Sequence, residues 1–249
     1  MIDRTILDNL TYATLLSLDG GKSSGSGFFL NLNDVDFLIT ARHVLFDNDK
    51  LRCETLIISS QNSRGQIDDS KMFELDMTKA QVIDSKTDDI AAIPFGSIEK
   101  SDFNEHISIV QEGNSKTFSI SHKQTRLLEE IGMANDVYLV GFPTSLIFQN
   151  SKHFDPGKPL LRKGIIAGIN TEDNTFIIDC SAYYGNSGGP VLELCEDNAL
   201  RIIGIVSRYI PFVIEWKNNR EMSVTHTEFL NSGYSVCVPI NAVFKLING

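Results

Sequence analysis

Gly185-Asn186-Ser187-Gly188-Gly189-Pro190 separates two apolar, strand-forming segments, Thr175–Cys180 and Val191–Cys195. Glycine reaches backbone conformations closed to other residues, so a serine hemmed in by glycines can sit on a sharp turn with its hydroxyl presented outward. The same composition also suits an ordinary tight turn, and the stretch alone does not choose between the two. Its neighbours along the chain do. Ile39-Thr40-Ala41-Arg42-His43-Val44 is an apolar strand ending at a histidine, and Thr87-Asp88-Asp89-Ile90-Ala91-Ala92-Ile93 sets an acidic pair at the start of another apolar strand. Histidine, aspartate and serine therefore follow one another in the chain, with 46 residues from His43 to Asp89 and 98 from Asp89 to Ser187. A serine hydroxyl becomes a nucleophile near neutral pH when a base takes its proton, and an imidazole oriented by a carboxylate is such a base.

These three segments resemble the chymotrypsin/trypsin superfamily of serine peptidases. Thr40-Ala41-Arg42-His43-Val44 is similar to its Thr-Ala-Ala-His segment, Asp89-Ile90-Ala91 to its Asp-Ile-Ala-Leu segment, and the serine loop to its Gly-Asp-Ser-Gly-Gly-Pro. Asn186 before the serine, together with the late strand from Gly233 to Ile240, is closer to the bacterial HtrA-like branch, here without an appended PDZ domain. The resemblance runs from about Tyr12 to the C-terminus. It implies an all-β fold of two six-stranded antiparallel β-barrels with a short C-terminal helix, within one peptidase domain spanning residues 1–249. The N-terminal barrel is expected over about 10–105, a linker over about 106–133, and the C-terminal barrel with its helix over about 134–249.

Roles follow from the same resemblance. Ser187 is the expected nucleophile, His43 the general base and Asp89 the residue that orients His43; Asp88 is its rival, and Asp89 is preferred because it directly precedes Ile-Ala. The backbone N–H groups of Gly185 and Ser187 are expected to form the oxyanion hole. Ser181 falls at the base of the primary specificity pocket, Ser207-Arg208-Tyr209 on the strand that pairs with substrate backbone, and Tyr209 narrows the pocket. A neutral Ser181 offers no countercharge to lysine or arginine, so small or apolar residues are expected before the cleaved bond. Asn186 replaces the aspartate that pairs with a new N-terminus in trypsin-like zymogens, and an amide has no charge to offer that partner. Activation by N-terminal clipping is therefore not expected.

Composition narrows the alternatives. With 22 Lys and Arg against 32 Asp and Glu the chain is strongly acidic, which opposes binding to nucleic acid or an anionic membrane. Cys53, Cys180, Cys195 and Cys237 are scattered singly, so buried free thiols rather than a zinc site are expected, and neither metal nor cofactor is called for. Val44 stands where secreted relatives carry a disulfide cysteine, and no basic, apolar leader opens the sequence; both point to the cytoplasm. Gly21-Lys22-Ser23 is not a phosphate loop, because Leu16 occupies the position where that motif needs its first glycine.

Short apolar runs broken by Gly, Asn, Asp and Ser predict strands over 11–18, 28–31, 36–40, 51–59, 73–77, 81–84 and 90–94, then 137–142, 160–169, 175–180, 191–195, 202–209 and 234–238. Ser121 with Gln124, followed by Leu127, Leu128, Ile131 and Gly132, predicts a capped helix. Asn241 is the expected N-cap of a terminal helix carrying Val243, Phe244 and Ile247, and Trp216 with residues 217–221 is expected to cover one end of the second barrel. Two functions fit: an intracellular serine endopeptidase acting on protein or peptide, with a dedicated partner in a stress or defence system or a regulatory oligomer as refinements, or an inactive pseudoprotease that binds peptides.

Overall fold

The computed structural model describes residues 13–60, 70–114, 117–145, 155, 157–217 and 225–249. The first half forms β1 (Thr14–Leu18), β2 (Ser23–Leu32), β3 (Val35–Ala41), a single-turn helix α1 (Arg42–Leu45), β4 (Phe46–Asp47), β5 (Lys50–Leu51), β6 (Thr55–Ser60), β7 (Lys71–Asp76), β8 (Ile83–Ser85), β9 (Ile90–Ser97), β10 (Asp102–Phe103), β11 (Ile107–Gln111) and β12 (Ser119–Ser121). The second half adds β13 (Asp136–Gly141), β14 (Leu160–Asn170), β15 (Thr175–Asp179), β16 (Pro190–Leu194), β17 (Leu200–Lys217), β18 (Thr225–Pro239) and α2 (Ile240–Asn248). In the first unit the hydrogen-bonded order is β10-β9-β3-β2-β1-β6-β7-β11, with β8 on β9 and β12 running parallel to β2. In the second, β13-β14-β15-β18-β17-β16 close into a six-stranded antiparallel barrel. The double-barrel, almost wholly antiparallel architecture is the expected one, with extra short strands on the first unit.

Local chemistry sets the hairpin that delivers the histidine. β2 and β3 are joined by Asn33 and Asp34, whose φ values of 52° and 65° are those of a tight primed turn, and both residue types tolerate that region. In β2, Phe29 faces the core of the first unit while Phe28 and Leu30 face the second. Phe29, Phe73 and Phe95 meet edge to face with centroids 4.7–6.4 Å apart inside the first unit. Between the units Phe28, Ile39 and Ile90 pack against Val140, Phe142 and Ile205, with Ile240 and Val243 of α2 in the same cluster. Each fully buried side chain of this kind contributes about 1.5–3 kcal/mol, so the shared core fixes the seam along which β3, β9 and the serine loop meet.

Three expectations are revised. Residues 106–133 are not a bare linker with a helix, because β11 joins β7 and β12 joins β2. The Ser121–Gln124 capping box is present but opens only a 3-10 turn over His122–Gln124. The chain then turns extended at Thr125, which bridges Ile202, and the Arg126 N–H bonds the Ile202 carbonyl at 2.9 Å, so pairing with the barrel wins over helix. Nor is Asn241 a cap: it lies inside α2 after Pro239, and its Oδ1 accepts the Leu128 N–H at 2.9 Å.

The third revision concerns the end of the second barrel. β17 and β18 continue past the barrel as a two-stranded ribbon, pairing Pro211–Lys217 with Thr225–Asn231, and Phe212, Trp216 and Phe229 are 59%, 60% and 61% exposed. Trp216 therefore stands on the ribbon beyond the barrel, while residues 218–221 lie outside the described residues. All four cysteines are unpaired and buried, and burial pushes the Cys53 thiol up to about 11, which suppresses the reactive thiolate. No helix among the described residues is long and apolar enough to cross a membrane.

Candidate active site

His43 is the second residue of α1, directly after β3, and Asp89 immediately precedes β9, which pairs with β3. That pairing brings together two residues 46 positions apart. Asp89 Oδ1 accepts the His43 backbone N–H at 3.0 Å, the Asp89 carbonyl accepts the Arg42 N–H at 3.0 Å, and Oδ2 accepts the His43 Nδ1 proton at 2.9 Å. The first two amides of α1 are thus satisfied by the residue that also holds the ring. Asp89 reaches this pose with φ 55°, a region aspartate tolerates at some cost. Asp88 does not face His43; it closes a local turn, accepting the Ser85 hydroxyl at 2.8 Å.

Burial alone would push the Asp89 carboxyl up, but the His43 ring with its charge, the Ser207 hydroxyl and the His43 amide outweigh it and hold the carboxyl below its ordinary range. Ser207 is 4% exposed and donates its Oγ to Asp89 Oδ2 at 2.5 Å, while its carbonyl accepts Ser187 Oγ at 3.1 Å. The resemblance leads one to expect Ser207 on a strand that pairs with substrate; here its hydroxyl bonds the aspartate, a link across 118 positions with no local signature.

The serine loop is tied down carbonyl by carbonyl. Tyr183 O accepts Asn186 N–H at 2.9 Å, Tyr184 O accepts Ser145 N–H at 3.2 Å, Asn186 O accepts Gly189 N–H at 2.9 Å, and Ser187 O accepts Ser26 N–H at 2.9 Å. The remaining carbonyl, Gly185 O, accepts the hydroxyl of Ser26 at 2.6 Å, and Ser26 Oγ in turn accepts the Phe142 N–H at 2.9 Å. A trans peptide points its N–H opposite its C=O, so holding Tyr184 O against Ser145 turns the Gly185 N–H to the other side. Neither the Gly185 nor the Ser187 N–H has a partner among the described residues. Gly185 must be glycine: its φ is 96°, and a Cβ there would lie 2.3 Å from the Phe142 carbonyl. Asn186 is 1% exposed and spends its Oδ1 on the Tyr183 N–H at 3.0 Å.

Ser26, fully buried in β2, is the residue the sequence reading misses. Through its N–H and its hydroxyl it grips both carbonyls that flank the Asn186 peptide, from the opposite unit of the molecule. Ser26→Ala leaves the Gly185 carbonyl and the Phe142 N–H without that partner in a dry site. It is expected to lower kcat about tenfold to a hundredfold with little change in KM, a fraction of the ~10²–10³ lost with one oxyanion donor. Steady-state kinetics beside a melting curve check this; an unchanged kcat would refute the clamp.

A groove of about 760 Å³ runs between the units past His43 and Ser187. Ser207, Arg208 and Tyr209 line it, and Tyr209 meets Tyr184 edge to face at 6.0 Å. Ser181 is not among its lining residues; it sits beside Gly233, and the tyrosine pair stands at the wall instead. His43, Gly185 and Ser187 line this groove together, and Asp89 joins them through His43 and Ser207. Among the described residues no cluster of His, Cys, Asp and Glu could hold a metal ion. An imidazole held by a carboxylate, a serine hydroxyl and two amides unpartnered among the described residues thus share one groove.

A family model described as trypsin-like peptidase domain matches residues 25–205. No curated protein matches significantly. Among solved structures, a serine endoprotease from Yersinia pestis superposes with a TM-score of 0.56 at 16% identity, over 99% of this chain and 65% of that one. The MamO protease domain from Magnetospirillum magneticum, in its apo form, gives 0.52 at 14% identity over 96% of both chains. The HtrA-type protease AlgW with a tripeptide gives 0.55 at 15%, over 98% of this chain and 61% of that one. This chain thus spans slightly less than two thirds of the Yersinia and AlgW chains, and at these identities the likeness is one of fold.

Proposed function

The chain belongs to the trypsin-like peptidase domain family, and from that premise we propose that it is a serine endopeptidase cleaving peptide bonds through an acyl-enzyme. The observation that carries the reading is the joint presence, at one groove, of an Asp89-held imidazole and a serine whose loop leaves two backbone N–H groups free. In the resting state Ser187 Oγ leans on the Ser207 carbonyl. Rotation about its Cα–Cβ bond exchanges that carbonyl for His43 Nε2, a contact that tightens with substrate in place. Ser187 Oγ then attacks the scissile carbonyl carbon as His43 takes its proton, and the carbonyl oxygen becomes an oxyanion held by the Gly185 and Ser187 N–H groups. Collapse breaks the C–N bond, His43 protonates the leaving amine, and water hydrolyses the acyl-Ser187 ester by the same steps, restoring the hydroxyl. Asp89, ionised throughout, keeps the Nδ1 proton in place and offsets the imidazolium charge.

The tied loop carbonyls and the locally satisfied Asn186 support a site competent without a new N-terminus. An N-terminally extended chain is expected to hydrolyse substrate as fast as the native one; strict dependence on a trimmed terminus would contradict this. Tyr184 and Tyr209 at the groove wall favour small residues before the cleaved bond. Four unpaired thiols favour work in a reducing compartment such as the cytoplasm. A p-nitrophenyl ester tests the chemistry: a burst followed by an acyl group on Ser187, trapped by acid quench and located by mass spectrometry, is expected. A folded protein left unacylated would overturn the reading.

A further inference from the structure

We propose that the groove selects acidic polypeptide, in which aspartate or glutamate residues lie on both sides of the scissile bond, beyond the small residue that directly precedes it. The inference rests on the endopeptidase reading above. The chain holds 32 carboxylate residues against 22 cationic ones, so an average sample of it contains more acids than bases. The wall of the groove inverts that balance: Lys22, Arg52 and Arg208 line it, and among the described residues no aspartate or glutamate does. All three cations are exposed, and none is ion-paired among the described residues.

Their placement brackets the reacting centre. Lys22 opens the groove just before β2, and Arg52 follows β5 and donates Nη1 to the His43 carbonyl at 2.9 Å, leaving the rest of its guanidinium free. Arg208 stands between Ser207 and Tyr209 on β17, the strand that touches Ser187. Two positive charges thus lie on the first-unit side of the His43–Ser187 pair and one on the second-unit side. Of the carboxylates nearby, Asp89 is held by His43 and Ser207, and Asp19 accepts the amides of Glu54 and Thr55 through Oδ1. Tyr183, Tyr184 and Tyr209 add phenol groups able to donate to a carboxylate. In a protein whose net charge of −10 repels acidic chains elsewhere, a cationic cleft concentrates the field and draws such a chain into one place.

Binding is measured with the full chain carrying Ser187→Ala, so that cleavage is not required. A fluorescent glutamate-rich peptide is titrated beside its glutamine twin, at low salt and at about 0.5 M salt, where a Debye length of only a few ångströms screens exposed charges. The glutamate peptide is expected to bind about tenfold tighter at low salt and to lose that advantage at high salt. The advantage is also expected to vanish with Lys22→Glu and Arg208→Glu together, and to shrink with the milder Lys22→Gln and Arg208→Gln should the reversed pair fold poorly. Equal binding of the twins, or a preference that survives both pairs of substitutions, overturns acidic selection. Acylation of Ser187 in the unaltered chain by the p-nitrophenyl ester, which carries no acidic segment, separates this failure from failure of the endopeptidase reading.

Discussion

Replacing Ser187 by alanine is expected to lower turnover by about 10⁶-fold while leaving the fold intact. The residue is half-buried at the groove, and its side chain makes one hydrogen bond, to the Ser207 carbonyl, so the loss of stability is small. The loop that carries it is held by backbone bonds from Ser26, Ser145 and Gly189, none of which involves Ser187 Oγ. Peptide-bond cleavage assayed beside a melting curve separates chemistry from folding. Turnover unchanged by the substitution would remove Ser187 from the reaction.

Asp89→Asn is expected to cost about 10⁴-fold in turnover. Asp89 accepts the His43 Nδ1 proton, the His43 amide and the Ser207 hydroxyl, and an acceptor-only carboxylate suits all three donors. An asparagine amide must turn its NH₂ toward one of them. Turned toward Nδ1 it forces the other imidazole tautomer, with the proton on the nitrogen that faces Ser187, and the base is lost. The pH dependence has a definite sign. The Asp89 carboxyl lies below its ordinary range in the folded protein, so its contribution to stability is present above the unfolded value of roughly 4 and is lost as pH falls through the lowered folded value. Wild-type protein is therefore expected to lose stability relative to Asp89→Asn on acidification through that window, as melting curves across pH will read. Asp88→Asn, which disturbs only a turn with Ser85, is the matched control and is expected to be near silent.

What the sequence discloses follows the range of the interaction that carries it. His43, Asp89 and Ser187 each lie in a short motif whose neighbours have local reasons to be there, such as Gly185 with its positive φ, so the three could be read residue by residue. The hairpin at Asn33-Asp34 and the barrel strands are legible for the same reason, since turn chemistry and apolar runs are local. The grip of Ser26 on the serine loop spans 159 positions and joins two units, and a lone serine in Gly-Ser-Gly gives no hint of it. The capping box at Ser121 and Gln124 is a true local signal that tertiary pairing at Thr125 cuts short. Ser181 is placed by resemblance alone, whereas the Tyr184 and Tyr209 pair at the groove wall is a contact between residues 25 positions apart that no local motif announces. The β17–β18 ribbon is hidden because its apolar residues face solvent on both strands, and an exposed phenylalanine looks in sequence like a buried one.

The most direct measurement is labelling with a fluorophosphonate probe, which reacts with a serine activated by a base and an oxyanion hole and needs no knowledge of the substrate. The adduct is expected on Ser187, located by mass spectrometry, and is expected to vanish in His43→Ala. A protein that stays folded and unlabelled, or that labels equally well without His43, would contradict the proposed catalytic assembly.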